Sequence, residues 1–275
     1  MKIVVGTASF GLKYGAQKKR VNRHQINLID KILKKNSINF LDTAMSYGNS
    51  EKVIGNMKSK KNVITKIILP KKKIKNLSIW FEKKLKLSLH NLKLEQLYGL
   101  LIHDTKDIFS QKQLLTCCLN AKKKGYVKYI GISVYETNEI KKVMKIWKPE
   151  IIQFPANIFD QRFIKNNILN TLKKKKIKIF VRSCFLQGRL LKENIKYKDN
   201  LYFRKFYNWC REKKISQLKA CIDFIRNIKK IDFLIIGIDD SYNLSEICKV
   251  LKLKSKKIPY YFKCNNKKII DPRRW

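Results

Sequence analysis

The sequence predicts a single-domain α/β fold, a closed (β/α)8 (TIM) barrel. Three observations predict it. Eight short β-branched runs recur along the 275 residues, helical spacing fills most of the stretches between them, and no linker splits the chain. Runs apolar on both faces mark strands of a buried parallel sheet. Eight such units at fairly even intervals fit one barrel better than a doubly wound sheet.

In order, the predicted strands are Ile3–Gly6, Ile38–Asp42, Val63–Lys66, Tyr98–His103, Val127–Ser133, Ile151–Phe154, Ile177–Ser183 and Phe233–Gly237. Helical spacing covers Gln25–Lys35, Ile79–Leu92, Gln111–Lys124, Glu136–Trp147, Ser216–Ile228 and Leu244–Leu251. Asn76 or Ser78, Ser110 and Ser216 are the N-cap candidates, and Gly125 is a stop. The last interval is much longer than the others. It predicts an extra loop and helix at about 187–214, over the barrel mouth, with a tail at 254–275.

Composition narrows the class. A hydrophobic fraction of 44% supplies a large core, and 10 Gly with 5 Pro are too few for a disordered or fibrous chain. No apolar run approaches the ~20 residues needed to span a bilayer. Residues Met1 to Ala16 begin like a signal peptide, but Gly6, Thr7 and Ser9 interrupt the apolar run. The expectation is a cytoplasmic protein. Seven Cys with no C-x-x-C pair argue against a disulfide framework or a zinc site, and no metal is expected.

Lys and Arg number 63 against 20 Asp and Glu, a net charge of +43. One reading is a nucleic-acid or membrane partner. The other is lysine placed wherever solvent tolerates it. Runs such as Lys71–Lys73, Lys122–Lys124 and Lys173–Lys176 lie between apolar segments, and the charge is mostly Lys. That favours solvated faces and no specific nucleic-acid partner.

A barrel carries its chemistry at the C-terminal ends of its strands. The second run ends at Asp42, the third at Lys66, the fourth at His103 and the fifth at Ser133. The sixth holds Gln153, the seventh ends at Arg182–Ser183 and the eighth at Gly237. Core packing does not require Asp, Lys and His on three consecutive strands. Tyr47 adds a phenol in the loop after Asp42. Its ordinary pKa near 10 is high for an acid at neutral pH. Lys66 is expected to lower it, Asp42 to keep Lys66 charged and aimed, and His103 to orient a carbonyl oxygen. Such a set protonates a carbonyl oxygen as hydride reaches its carbon. The competing reading makes Asp42 and Lys66 a structural ion pair and Tyr47 loop packing.

Asp42-Thr43-Ala44-x-x-Tyr47-Gly48-x-x-Glu51, Lys66 after Ile64-Thr65, and Leu101-Ile102-His103 resemble the aldo-keto reductase family, over nearly the whole chain. The resemblance implies NAD(P)H-dependent reduction of a carbonyl, or the reverse oxidation, with Tyr47 as general acid or base. It implies that NADPH or NADH is the cofactor. Gly6 and Thr7 would lie under the nicotinamide, and Ser133 with Gln153 would hold its carboxamide. Val134 stands where the family often has Asn. Arg182 stands where the family often stacks an aromatic on the nicotinamide; it would lie on that ring, bind an acidic substrate or be paired structurally. Ser183, Phe185 and Gly188 resemble a pyrophosphate belt. Gly237, Asn243 and Glu246 fall in a stretch resembling the grip on the adenosine end. Asp239 and Asp240 there would repel a 2′-phosphate, so NADH is expected to serve at least as well as NADPH.

Phe154–Arg162, Arg182–Gly188 and Asp271–Trp275 resemble bacterial reductases of surface-polysaccharide metabolism, which implies a sugar-like carbonyl substrate. The tail is otherwise a structural clasp with Trp275 packed on the barrel. Two other classes stay open: a nicotinamide-binding regulatory barrel with little or no turnover, and a polyanion binder. A monomer or weak homo-oligomer is expected. His24 and His90 read as surface residues, and Cys184 has no His partner by sequence. There is no G-x-G-x-x-G and no P-loop.

Overall fold

The computed structural model describes residues 1–14, 20–59, 61–72, 74–164, 167–191 and 200–275. Among these, eight parallel strands close in sequence order. They are β1 (Lys2–Gly6), β2 (Phe40–Asp42), β3 (Asn62–Ile67), β4 (Leu97–Ile102), β5 (Val127–Ser133), β6 (Ile151–Pro155), β7 (Lys178–Arg182) and β8 (Phe233–Gly237). β1 returns to β8 through the register Lys2↔Phe233 to Gly6↔Gly237. All eight predicted strands are present, two with the predicted ends and six with an end shifted by one or two residues.

The six predicted helices are Arg23–Lys35, Leu77–Leu92, Lys112–Lys123, Thr137–Ile146, Gln217–Arg226 and Ser241–Lys252. Their inward faces follow the expected spacing, as with Ile26, Ile29 and Leu33 on the first. Asn76 caps the second through Ile79 N, and Ser216 caps the fifth through Lys219 N. Ser110 is a correction. It ends an unforeseen short helix, Thr105–Ser110, and Gln111 starts Lys112–Lys123 without a side-chain cap. That short helix is itself capped by Asp104, whose carboxylate accepts from Lys106 N. Gly125 takes the left-handed conformation at φ +79° after its helix. The predicted extra segment contains the helix Leu201–Glu212; its residues 192–199 lie outside those described.

Side chains alternate along a strand with a period of two. The barrel interior is filled by one face of that alternation: Val4, Phe40, Ile64, Leu101, Ile151, Phe180, Phe233 and Ile235; the partly buried Tyr98 and Tyr129 pack against this cluster. Phe180 and Phe233 stack at 4.1 Å, and Tyr98 meets Phe40 edge-on at 4.9 Å. Burying each such side chain contributes about 1.5–3 kcal/mol. The opposite face packs outward under the helices in a larger cluster that includes Val5, Leu41, Leu100, Ile132 and Leu234.

The same period fixes what lies above the plug. Two residues past an inward-facing position come Gly6, Asp42, Lys66, His103, Gln153, Arg182 and Gly237, and Ser133 lies in register with Gln153, so each strand contributes one. Eight of the sequence-predicted site residues therefore form one inward layer at the mouth. His103 lies one residue beyond β4 yet stays on the ladder, its N–H donating to Ile67 O at 2.8 Å.

Candidate active site

Burial of a charge is costly unless it is paired. Lys66, 1% exposed, donates to Asp42 Oδ2 at 2.5 Å and to Thr43 O at 2.8 Å. Asp42 accepts at its other oxygen from Gln153 Nε2 at 2.7 Å. Burial lowers the Lys66 pKa, Asp42 opposes that, and the Arg182 charge lowers it further.

Tyr47 lies half-buried above this pair, with Lys66 Nζ 5.5 Å from its ring centroid and the His103 ring 6.0 Å away at 75°. Its loop is held by backbone. Met45 N–H donates to Lys66 O and Ser50 N–H to Tyr47 O. A Cβ on Gly11 would lie 1.8 Å from Tyr47 O, so the turn after β1 presses bare backbone against the Tyr47 loop. Ser50 Oγ, 2.9 Å from both Thr7 O and Thr7 Oγ1, ties the two loops again. Sequence reasoning missed Gly11 and Ser50. Ser50 sits inside the family-like stretch between Gly48 and Glu51, the one signal that pointed near it.

One electrostatic expectation is corrected. Burial raises the Tyr47 pKa, the Asp42 carboxylate adds to the rise, and the cation that lowers it is Arg182. Lys66 is not among the charges that lower it. His103 is pushed down to about 3 by burial, Lys66 and Arg182, so it is neutral at working pH. Its Nδ1 is buried without a hydrogen-bond partner.

The residues expected to meet a nicotinamide cofactor divide into two groups. Gln153 is fully buried, and its Oε1 has no partner although its Nε2 is engaged. Such an orphaned acceptor fits an amide N–H. Ser133 pairs with Gln153 across β5 and β6. Gly237 is exposed, and a Cβ there would meet nothing within 4 Å, leaving that rim clear. After β7 the backbone turns left-handed at Ser183, Leu186, Gln187 and Gly188, with φ of 64°, 50°, 54° and 89°. Non-glycine residues in that region are typical of functional loops.

Other residues are engaged within the protein. Thr7 is buried, and its hydroxyl donates to Asp42 O at 3.0 Å. Phe185 is buried in the outer core. Asn243 donates to Asp240 from both its backbone and its side chain, capping Ser241–Lys252. Glu246 pairs with Lys249 at 2.8 Å. Asp239 is raised by burial and by Asp240 beside it. Among the described residues no three His, Cys, Asp or Glu side chains are gathered for a metal, and no helix is long and apolar enough to cross a membrane. All seven Cys are buried and unbonded. His24 and His90 are exposed, as expected.

The tail closes over one side of the mouth. Lys267 and Arg273 reach Glu136, Arg273 is held by Asp271, and Arg189 stacks on Trp275 at 3.3 Å. Tyr135 carries the guanidinium carbons of Arg182 and Arg273 at 4.1 and 4.0 Å. Neither Tyr135 nor Arg273 was singled out from sequence.

A closed barrel with an inward polar layer at its strand ends is the architecture on which barrel enzymes build their active sites. Residues 2–266 match the model of the aldo/keto reductase family, and the chain belongs to that family. It is an oxidoreductase of the NAD(P)H-dependent, carbonyl-reducing class. The holo form of an aldo-keto reductase from Bacillus halodurans is similar at 15% identity and a TM-score of 0.75, over 93% of this chain and 88% of that one. A glycerol dehydrogenase from Gluconobacter oxydans is similar at 19% identity and a TM-score of 0.71, over 92% and 87%. No curated protein matches significantly.

Proposed function

We propose that this enzyme reduces a sugar-like aldehyde or ketone to the alcohol, or runs the reverse, with Tyr47 as the group that moves the proton. The observation that carries the reading is the Tyr47 phenol above the buried Lys66–Asp42 pair and beside a neutral His103. Bound nicotinamide supplies the hydride to the carbonyl carbon. Tyr47 gives its hydroxyl proton to the carbonyl oxygen, so one carbonyl takes up one hydride and one proton. His103 orients that oxygen. The raised Tyr47 pKa keeps the phenol protonated through neutral pH, and Arg182 is the charge that limits the rise.

Gln153 Oε1 and Ser133 would hold the carboxamide, Gly6 and Gly237 would leave room along the rim, and Ser183 with Gly188 would border the phosphates. Asp239 and Asp240 favour NADH at least equally with NADPH, because a carboxylate repels a 2′-phosphate and accepts from a ribose hydroxyl. A polyol-sized substrate is supported by the polar groups Tyr14 and Gln187, bonded to each other at 3.4 Å, and by the glycerol substrate in the name of the Gluconobacter relative.

Tyr47→Phe should lower kcat by about 10²–10⁴-fold while NAD(P)H fluorescence titration shows unchanged cofactor binding. Full activity in that variant overturns the mechanism. Cofactor binding by the wild type without turnover of any carbonyl in a sugar panel would favour the regulatory barrel. A large NADPH preference in steady-state kinetics would overturn the cofactor reading.

A further inference from the structure

The inward layer at the mouth holds three charges. Asp42 and Lys66 neutralise each other, and His103 is neutral. The third is Arg182, half-buried, with no carboxylate within ion-pair distance among the described residues. Its one hydrogen bond is a long one, Nη2 to Val134 O at 3.5 Å. Equally half-buried arginines elsewhere are compensated: Arg162 by Asp160 and Glu136, Arg226 by Asp223. Arg273, which shares the Tyr135 ring, is held by Asp271.

Arg182 rests with its guanidinium carbon 4.1 Å over Tyr135. Stacking engages the face of a guanidinium and leaves its edge of N–H donors for a planar or tetrahedral oxyanion. The strand period aims Arg182 into the barrel mouth, two residues after the inward Phe180. Its charge bears on Tyr47, His103, Lys66 and Tyr14, which places it at the reacting end. A net charge of +43 adds a field that draws small anions toward the protein.

We propose that Arg182, braced on Tyr135, is the specificity residue for an oxyanion on the substrate, so that the natural substrate is a carbonyl compound bearing a carboxylate or a phosphate. This rests on the carbonyl-reductase reading above. The anion completes the charge balance of the mouth and orients the carbonyl beneath Tyr47.

The test uses matched substrates on the full chain. One pair is 4-carboxybenzaldehyde and its methyl ester; the other is glyceraldehyde 3-phosphate and glyceraldehyde. The wild type should favour the charged member in kcat/KM by about 10–100-fold, the range of a charge-assisted hydrogen bond. A preference in the first pair alone identifies a carboxylate, in the second alone a phosphate, and in both an unselective oxyanion site. Arg182→Gln should collapse the ratio toward one through KM of the charged member, and Arg182→Lys should retain part of it. Equal treatment of both members by the wild type, or an equal loss on both in Arg182→Gln, overturns the proposal.

A binding arm separates this from the reductase reading. Titration calorimetry with benzoate and with phenyl phosphate, neither of which is a carbonyl substrate, needs no turnover. About tenfold or more weaker anion binding in Arg182→Gln supports the anion site even if no aldehyde is reduced. Unchanged binding in that variant overturns it even if every aldehyde is reduced.

Discussion

Lys66–Asp42 at the mouth and Lys219–Asp223 on the outer helix layer are both buried ion pairs, with N–O distances of 2.5 and 2.6 Å. The outer pair is saturated. Asp223 also accepts from Arg226 and from Lys256 N, and Lys219 also donates to Lys254 O, so helix Gln217–Arg226 is fastened to the start of the tail. The mouth pair is surrounded differently. Among the described residues three buried side-chain atoms lack a partner, and two of them, His103 Nδ1 and Gln153 Oε1, lie in its layer. The third, Gln161 Oε1, belongs to a side chain whose amide N–H groups bridge Ile158 O and Tyr260 O. Both pairs bury charge, but only the mouth pair has unused buried hydrogen-bonding capacity beside it among the described residues.

Paired substitutions break or sharpen this contrast. The largest expected effect is at Asp42. Asp42→Asn and Asp223→Asn each leave buried cations uncompensated and should each lower unfolding free energy by about 3–5 kcal/mol in urea melts. Only Asp42→Asn should also lower kcat, by about tenfold or more, since it alone alters the charge beneath the proton donor. If Asp223→Asn, still folded, lost activity as steeply, the two pairs would not differ in kind.

Gln153→Leu removes the orphaned acceptor and the donor to Asp42 together. It should weaken NAD(P)H binding by about tenfold, the scale of one buried hydrogen bond, read by fluorescence titration. Unchanged cofactor affinity would make the orphaned oxygen a packing accident.

The pH profile gives a gentler test. On the proposed mechanism reduction requires the protonated phenol, and the raised Tyr47 pKa keeps it protonated, so kcat should stay level from about pH 6 to about pH 9. It falls only as pH passes the raised value. Oxidation requires the phenolate and should rise with pH across the alkaline range. With His103 pushed down to about 3, no step near pH 6.5 should appear. Arg182→Gln, by removing the cation that lowers the phenol, should move the alkaline limb upward.

The smallest effect is mechanical. Gly11→Ala forces a methyl group against Tyr47 O and should lower stability by about 1–3 kcal/mol, the usual range for overpacking, with a modest fall in kcat.

The barrel was legible because β-branched runs fix where strands lie and the period of two fixes which residues face inward. Asp42, Lys66, His103, Ser133, Gln153 and Arg182 could be read from strand ends for that reason. Ser110 misled because a hydroxyl before a helical stretch signals a cap only if no other helix ends there. The Tyr47 pKa was misjudged because burial of the phenol and its nearness to the Asp42 carboxylate, which raise it, are not contained in sequence order. Tyr135 and Arg273 escaped notice because their meeting depends on where the tail docks, 138 residues along the chain.

The bare backbone at Gly11 leaning on the Tyr47 carbonyl makes the first two crossover loops one mechanical body. Backed by the Ser50–Thr7 bonds, that contact leaves the perch of Tyr47 no freedom apart from the segment after β1, so a shift in one is a shift in the other.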